Sequence, residues 1–269
     1  MKFFVVISWL SLMGALAWVP LSSVQAASPT PDPLLEAGFD QALGVQIPLE
    51  IALRDETGSP VAIGDYFSAR PVVLVFAYYN CPMLCNLVLA DLTRSLAALE
   101  FNAGDEFEVI TVSIDPRDQP ELAAIKKAAL LSEYERPGAE RGWHFLTGDQ
   151  KAIDALTRTA GFRYFYDESK NEYAHPAGLV VLTPEGRISR YFLGLNYSPT
   201  DLRLALVEAA VSRIGSWVDQ VYLLCYEYDP TTGTYGLILS NVLRLAGLAT
   251  VAGLAGLIGI LLVRERSRR

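Results

Sequence analysis

Runs of apolar residues at strand spacing and at helix spacing alternate through the middle of the chain. Residues 71–79 (PVVLVFAYY) are apolar or aromatic throughout and mostly β-branched or aromatic, a pattern typical of a strand buried on both faces of a sheet. Residues 107–114 (FEVITVSI) repeat this pattern, and residues 85–100 between them carry apolar side chains at helical spacing. A buried strand, a helix and a second buried strand predict the crossover unit of an α/β sheet.

The same alternation continues to residue 214. After the first unit the pattern predicts a helix, a strand, a helix, a hairpin and a helix at 121–134, 143–149, 150–162, 178–194 and 198–214. Before it, residues 47–67 predict two short strands around a turn at 55–60, with Gly58 as the turn former. Residues 49–214 are therefore predicted to form one α/β domain, a sandwich with a mixed central sheet.

The N-terminal residues 1–26 have the features of a secretory signal peptide. A lysine precedes an apolar stretch at 3–19, and residues 24–26 (VQA) fit a small-residue cleavage pattern. The alternative is an uncleaved membrane anchor. Residues 27–48, which are Pro-rich at their start, are predicted to be a tether with one short helix at 33–43.

The C-terminal end predicts a membrane anchor. Residues 245–263 carry no charge and many small side chains, so we predict a transmembrane helix over 241–263. Residues 215–240 are then a juxtamembrane linker. The basic tail at 264–269 is expected to be cytoplasmic, because basic residues that flank a span favour that side. The predicted location is the bacterial inner membrane, with a single C-terminal span and the domain in the periplasm.

Net charge and cysteine count argue against two classes of protein: nucleic-acid-binding proteins and proteins held together only by structural disulfides. The net charge is −8 and the body of the chain has no basic stripe, which argues against a nucleic-acid-binding protein. The chain has three cysteines, and a disulfide framework would more often use an even number. At least one thiol is therefore free, paired between chains or bound to a ligand.

Two of the cysteines follow a predicted strand directly. Cys81 and Cys85 lie where the strand ending at Tyr79 gives way to a helix predicted to begin near Pro82 or Met83, and ligands usually bind at this end of strands in α/β sheets. Residues four apart share one helix face, so the two sulfurs can converge. The positive end of the helix also favours thiolates. The pattern predicts a ligand-binding or reactive pair, with a buried structural disulfide as the alternative.

A metal held by two thiolates needs a further ligand, and the chain has two histidines. Thiolates select Cu(I), zinc or iron–sulfur centres. His144 lies between Trp and Phe and is predicted to be packed, whereas His175 precedes a core strand whose loop is expected beside the cysteine turn. Two sulfurs and one imidazole suit Cu(I), because a structural zinc site would want four ligands. Met83 is predicted to face away from the cysteines on the helix, as a packing or partner contact.

Four segments carry a resemblance to a known family. They are residues 72–92, 110–127, 143–149 and 175–194, which contain the C-x-x-x-C pair, the S-I-D-P segment and the distant histidine. Together, over about residues 45–214, they resemble the Sco/SenC family of copper-handling, thioredoxin-fold proteins.

The resemblance implies a thioredoxin-like fold and a role in assembling the copper centre of cytochrome c oxidase. It implies that Cys81, Cys85 and His175 bind a copper ion and that the partner is an exported copper-binding subunit of the oxidase. The chain would then be a metallochaperone rather than an enzyme. The alternative is a membrane-anchored periplasmic thiol-disulfide oxidoreductase in which Cys81 attacks and Cys85 resolves. A peroxidase of the same fold class ranks third.

Several positions differ from the family pattern or leave alternatives open. Asn86 and Met83 stand where many members have Pro and Asp, and Ala174 stands where an Asp commonly precedes the histidine. Asp115 forms either a turn and helix cap or an acid near the site. Cys225, in an aromatic stretch beyond the domain, is either buried or a relay thiol for Cu(I) or reducing equivalents.

Overall fold

The computed structural model describes residues 37–81, 83–210, 226–229, 234–237 and 239–266. Strands β1 to β13 are, in chain order, Gly38–Phe39, Ala52–Arg54, Pro60–Ala62, Val72–Ala77, Glu108–Ser113, Trp143–Leu146, Phe162–Arg163, Phe165–Asp167, Glu172–Ala174, Gly178–Leu182, Ile188–Leu193, Tyr226–Asp229 and Thr234–Leu237. Helices α1 to α5 are Leu84–Ala97, Pro120–Tyr134, Gln150–Thr159, Pro199–Ala209 and Leu239–Arg266. Two short 3₁₀ helices cover Ile63–Tyr66 and Ala139–Arg141.

The core of the fold is a five-stranded sheet with the strand order β11-β10-β4-β5-β6. Strands β4, β5 and β6 are parallel, whereas β10 runs antiparallel to both β4 and β11. Every residue of β4, β5 and β10 is buried, because helices or loops cover both faces of the sheet. The predicted α/β sandwich with a mixed central sheet is confirmed, and its topology fits a thioredoxin-like fold.

Alternate residues of β4 point into two separate hydrophobic cores. Val73 and Val75 pack into the core that α1, α2 and α4 cover. Leu74 and Phe76 pack into the opposite core with α3 and the segment that precedes the sheet. This alternation follows from the two-residue period of a strand, and it places the carboxyl end of β4 between the two layers.

The turn and the helix start that the sequence predicts form as expected. Strands β2 and β3 pair antiparallel around the turn at 55–60, where Gly58 has a φ of 85°. This left-handed conformation favours glycine. The hydroxyl of Ser198 accepts a hydrogen bond from the Asp201 N–H at 3.3 Å, so it caps the N-terminus of α4.

Short paired strands are the elements that the sequence does not predict. In the described part of the predicted helix at 33–43, Gly38–Phe39 is strand β1 and pairs with β7. The Phe39 ring packs on Phe162 and Tyr191, with centroids 5.2 and 5.6 Å apart, so tertiary contacts override local helix propensity. Two further hairpins, β8–β9 and β12–β13, form within segments for which no strand is predicted.

The predicted transmembrane helix at 241–263 falls within α5. A bilayer crossing requires about 20 mainly apolar residues in one helix. Over the ranges of the chain described above, no helix meets both the length and the apolarity that a crossing requires. On this criterion the predicted C-terminal transmembrane helix is wrong. Residues 1–36, which include the predicted signal peptide, lie outside the described residues.

Candidate metal centre

The cysteine pair lies in the turn between β4 and α1. Helix α1 begins at Leu84, and Met83 precedes it as the N-cap residue with a φ of −146° and a ψ of −71°. Cys81 therefore lies outside the helix, and Cys85 lies in its first turn. The two sulfurs converge through this turn and not along one helix face, since the Cys85 N–H donates to Cys81 Sγ at 3.3 Å.

The sheet topology brings His175 to this turn from a distant part of the chain. Strand β10 runs antiparallel to β4, with Val180 opposite Leu74, so the start of β10 lies beside the end of β4. His175 precedes β10, and its Nε2 lies 3.1 Å from Cys85 Sγ. The ligand atoms of Cys81, Cys85 and His175 all lie within 4.8 Å of one another.

A backbone carbonyl fixes the tautomer of His175. Its Nδ1 lies 3.0 Å from the Pro176 carbonyl oxygen, and because a carbonyl can only accept, Nδ1 carries the proton and donates it. The Nε2 lone pair then points at the sulfur atoms. Hydrogen bonds of this kind orient histidine ligands in metal sites. The Pro176 carbonyl thus supports the ring although residue 174 is Ala and not Asp.

Aromatic side chains enclose the imidazole. The ring of Tyr78 lies edge-on to His175 with centroids 5.9 Å apart, and the ring of Phe162 lies 6.1 Å away. His175, Cys81 and Cys85 are all buried. Two sulfur donors and one nitrogen donor, preoriented in a buried pocket, fit a soft metal ion.

The two thiols differ strongly in acidity. The pKa of Cys81 falls to about 3, chiefly because the Cys85 thiol donates to its sulfur, with further help from the backbone N–H of Cys85. The pKa of Cys85 rises, because of its interaction with Cys81 and because of burial. The pair therefore holds one thiolate, on Cys81, and one thiol, on Cys85.

This difference predicts an unusual pH dependence for the reduced, metal-free protein. Only the thiolate form of a cysteine is nucleophilic. For a free cysteine with a pKa of about 8.5, the reaction rate therefore rises roughly tenfold with each unit of increasing pH until the pH reaches the pKa. Since the pKa of Cys81 is lowered to about 3, we expect its alkylation by iodoacetamide to vary by less than about twofold between about pH 5 and 8. Mass spectrometry of the alkylated peptide gives the rate. A tenfold rise per pH unit would contradict the assignment of the thiolate.

Backbone and carboxylate groups that the sequence does not single out hold the turn in place. The Tyr78 N–H donates to Cys85 Sγ at 3.4 Å. Asp118 accepts hydrogen bonds from the Tyr79 N–H at 2.7 Å and from the Ser113 hydroxyl at 2.6 Å, and burial raises its pKa. Asp118 thus fixes the end of β4 from which the cysteine turn departs.

Asp115 has a local role in its own turn. It accepts a hydrogen bond from the Arg117 N–H at 2.9 Å and pairs with the Arg117 guanidinium at 2.8 Å. The N-cap of α2 is Gln119, so the predicted turn is present, whereas the helix cap is not supplied by Asp115.

Asn86 connects the cysteine turn to α2. Its amide donates to the Cys81 carbonyl oxygen at 3.2 Å, and its own carbonyl oxygen accepts from Lys126 Nζ at 2.9 Å. Many members of the resembled family have proline at this position. Asn86 instead fixes the backbone of Cys81 through these hydrogen bonds.

The remaining residues singled out from the sequence lie elsewhere or differ from expectation. His144 is packed as predicted, with its ring 4.1 Å from that of Tyr66 and its Nε2 3.2 Å from Glu108 Oε2. Met83 was expected to face away from the cysteines on a helix, but it precedes α1 and lines a cavity of about 300 Å³ together with Cys81 and His175. Cys225 lies outside the described residues.

Comparisons with solved structures find proteins similar to this chain. Two proteins of Aquifex aeolicus, described as candidate electron transfer and electron transport proteins, are each 28% identical to the chain and cover 62% of it. Their TM-scores are 0.55 and 0.51, and the matches cover 94% and 98% of their own chains. The copper-bound ScoI of Arabidopsis thaliana is 18% identical, with a TM-score of 0.47 over 64% of this chain and 98% of its own.

Sequence comparison gives the family. Among curated proteins, no sequence matches this chain. Residues 46–210, more than half of the 269 residues, match the SCO1/SenC family. This range contains the cysteine pair, His175 and the whole central sheet. The chain therefore belongs to the SCO1/SenC family.

Proposed function

We propose that the protein is a copper metallochaperone that binds the ion through Cys81, Cys85 and His175. The observation that carries this proposal is the convergence of two sulfurs and the unprotonated Nε2 within 4.8 Å. Thiolates and imidazole together suit Cu(I). A structural zinc site would use four protein ligands, and among the described residues this is the one group of three or more His, Cys, Asp or Glu that could hold an ion.

The proposed client is an exported copper-binding subunit of cytochrome c oxidase, and membership of the SCO1/SenC family supports this choice. Delivery would proceed by ligand exchange, in which thiolates of the acceptor replace Cys81, Cys85 and His175 one at a time. The ion remains Cu(I) throughout, so no electron is transferred. The signal-like sequence at residues 1–26 supports a periplasmic location for this exchange.

Replacing His175 with Ala tests the ligand set. We expect the reduced wild-type protein to bind one Cu(I) per chain under anaerobic conditions. In His175→Ala the affinity should fall by at least about 10–100-fold, because the loss of a direct ligand should cost no less than the loss of an outer-shell partner, for which this range is typical. Competition with a chromophoric Cu(I) chelator measures both quantities.

The second histidine provides a matched control. His144 lies on β6 and contacts Glu108 and Tyr66, so His144→Ala should keep the wild-type copper affinity. Equal affinities for the wild type and His175→Ala would contradict the proposed site.

A thiol-disulfide oxidoreductase is the second candidate, and the unequal acidity of the two thiols favours it. The Cys81 thiolate would attack a substrate disulfide, and Cys85 would then attack the mixed disulfide. The cysteine pair would lose two electrons and the one proton of Cys85 as its own disulfide forms. The substrate disulfide would gain the two electrons and leave as two thiols, one proton coming from Cys85 and the other from water. This reaction does not require His175 as a ligand, so His175→Ala would retain disulfide reduction.

A further inference from the structure

The three sulfur-containing residues at the site differ strongly in exposure. Met83 is 67% exposed, whereas Cys81 is 6% and Cys85 is 2% exposed. Met83 and Cys81 line the same cavity of about 300 Å³, together with His175. The two residues are also only two positions apart in the chain, in the turn that precedes α1. Met83 therefore places a thioether residue at the exposed side of a cavity that reaches Cys81.

The chemistry of this thioether differs from that of the rest of the cavity rim. The rim also carries the carboxylates of Asp167 and Glu172, and Asp167 pairs with Lys170 at 3.2 Å. Carboxylate oxygens are hard ligands, whereas a thioether is soft, uncharged and does not require deprotonation. Of the residues that line the cavity, Met83 and Cys81 carry the sulfur atoms.

Building on the proposed copper function, we propose that Met83 is an additional, outer ligand for Cu(I). The thioether holds the ion at the exposed side of the cavity and exchanges it with the Cys81 thiolate and His175, while Cys85 lies deeper. In each exchange one Cu–S bond forms as another breaks, and the ion stays Cu(I). Met83 thereby makes the site selective for Cu(I) over Cu(II), since a thioether adds little affinity for the harder ion.

Selenium labelling tests this contact directly on the full chain. The chain has three methionines, at positions 1, 13 and 83, so selenomethionine introduces few selenium atoms. Copper K-edge X-ray absorption of the Cu(I)-loaded, labelled protein should show selenium scattering at bonding distance from copper. Met83→Leu keeps the apolar volume but removes the thioether, and it should lose this signal. Met13→Leu removes a different selenium atom and should keep it.

Binding measurements give an independent readout. Met83→Leu should bind Cu(I) about tenfold more weakly, the lower end of the range for losing a supporting group, with an unchanged affinity for Cu(II). Wild-type protein that binds Cu(I) without copper–selenium scattering, or equal Cu(I) affinity in the wild type and Met83→Leu, would overturn the role of Met83 alone. Absence of Cu(I) uptake by the wild type would overturn the proposed function as well.

Discussion

Replacing Cys85 with Ser is expected to abolish tight Cu(I) binding. The sulfur of Cys85 lies 3.1 Å from His175 Nε2 and within 4.8 Å of Cys81 Sγ. A serine hydroxyl is hard and remains protonated, so it cannot replace a thiolate as a Cu(I) ligand. We expect the Cu(I) affinity to fall by more than about 100-fold, beyond the loss typical of a supporting group. Chelator competition measures this loss.

A variant without a donor at this position should change the acidity of the remaining thiol. The hydrogen bond from the Cys85 side chain is the main cause of the lowered pKa of Cys81, so Cys85→Ala should raise that pKa, which ultraviolet absorbance of the thiolate reports. The third cysteine supplies the control, because Cys225→Ser should leave copper binding unchanged. Retention of wild-type affinity in Cys85→Ser, with loss in Cys225→Ser, would assign the metal to a different site.

Truncating Phe162 to Ala should produce a large loss of stability. The side chain is 3% exposed, and its ring packs on Phe39 and Phe76 with centroids 5.2 and 4.8 Å apart. It thereby joins strand β1, the central sheet and the wall of the His175 pocket. Removing a buried aromatic ring of this kind costs about 3–5 kcal/mol in the free energy of unfolding. Urea denaturation of the wild type and Phe162→Ala measures the difference.

A substitution that removes less volume tests whether the loss of stability comes from lost packing. Phe162→Leu keeps much of the apolar volume, so its cost should be about 1–2 kcal/mol, within the usual range for single substitutions. Phe162→Ala should also weaken copper binding, because the His175 ring loses one wall of its pocket. Equal urea midpoints for Phe162→Ala and the wild type would show that Phe162 does not connect these elements.

The central sheet could be predicted because its strands are long and buried on both faces. The apolar run at 71–79 predicts β4 from composition alone. Strand β1 has two residues, and its pairing depends on contacts of Phe39 with residues more than 120 positions away. No local pattern encodes such contacts, so a helix was predicted there instead.

The ligand residues of the proposed site could be selected from the sequence, but their geometry could not. Cys81, Cys85 and His175 have distinctive chemistry and few competitors of the same type. The exact start of α1, one residue after Met83, decides that Met83 faces the cavity, and helix boundaries are the least certain part of a sequence reading. The N–H of Tyr78, which contacts Cys85 Sγ, has no sequence signature because every residue except proline has one.

The long sequence separation between Cys85 and His175 links copper occupancy to resistance against unfolding. The two residues are 90 positions apart, so a bound ion joins chain segments that separate when the domain unfolds. A ligand that binds only the native state stabilises it by about 2.7 kcal/mol at a free concentration 100 times its Kd. Loaded molecules would then outlast empty ones wherever proteases digest transiently opened chains. Copper supply would in this way set the lifetime of the protein as well as the fraction of molecules that hold copper.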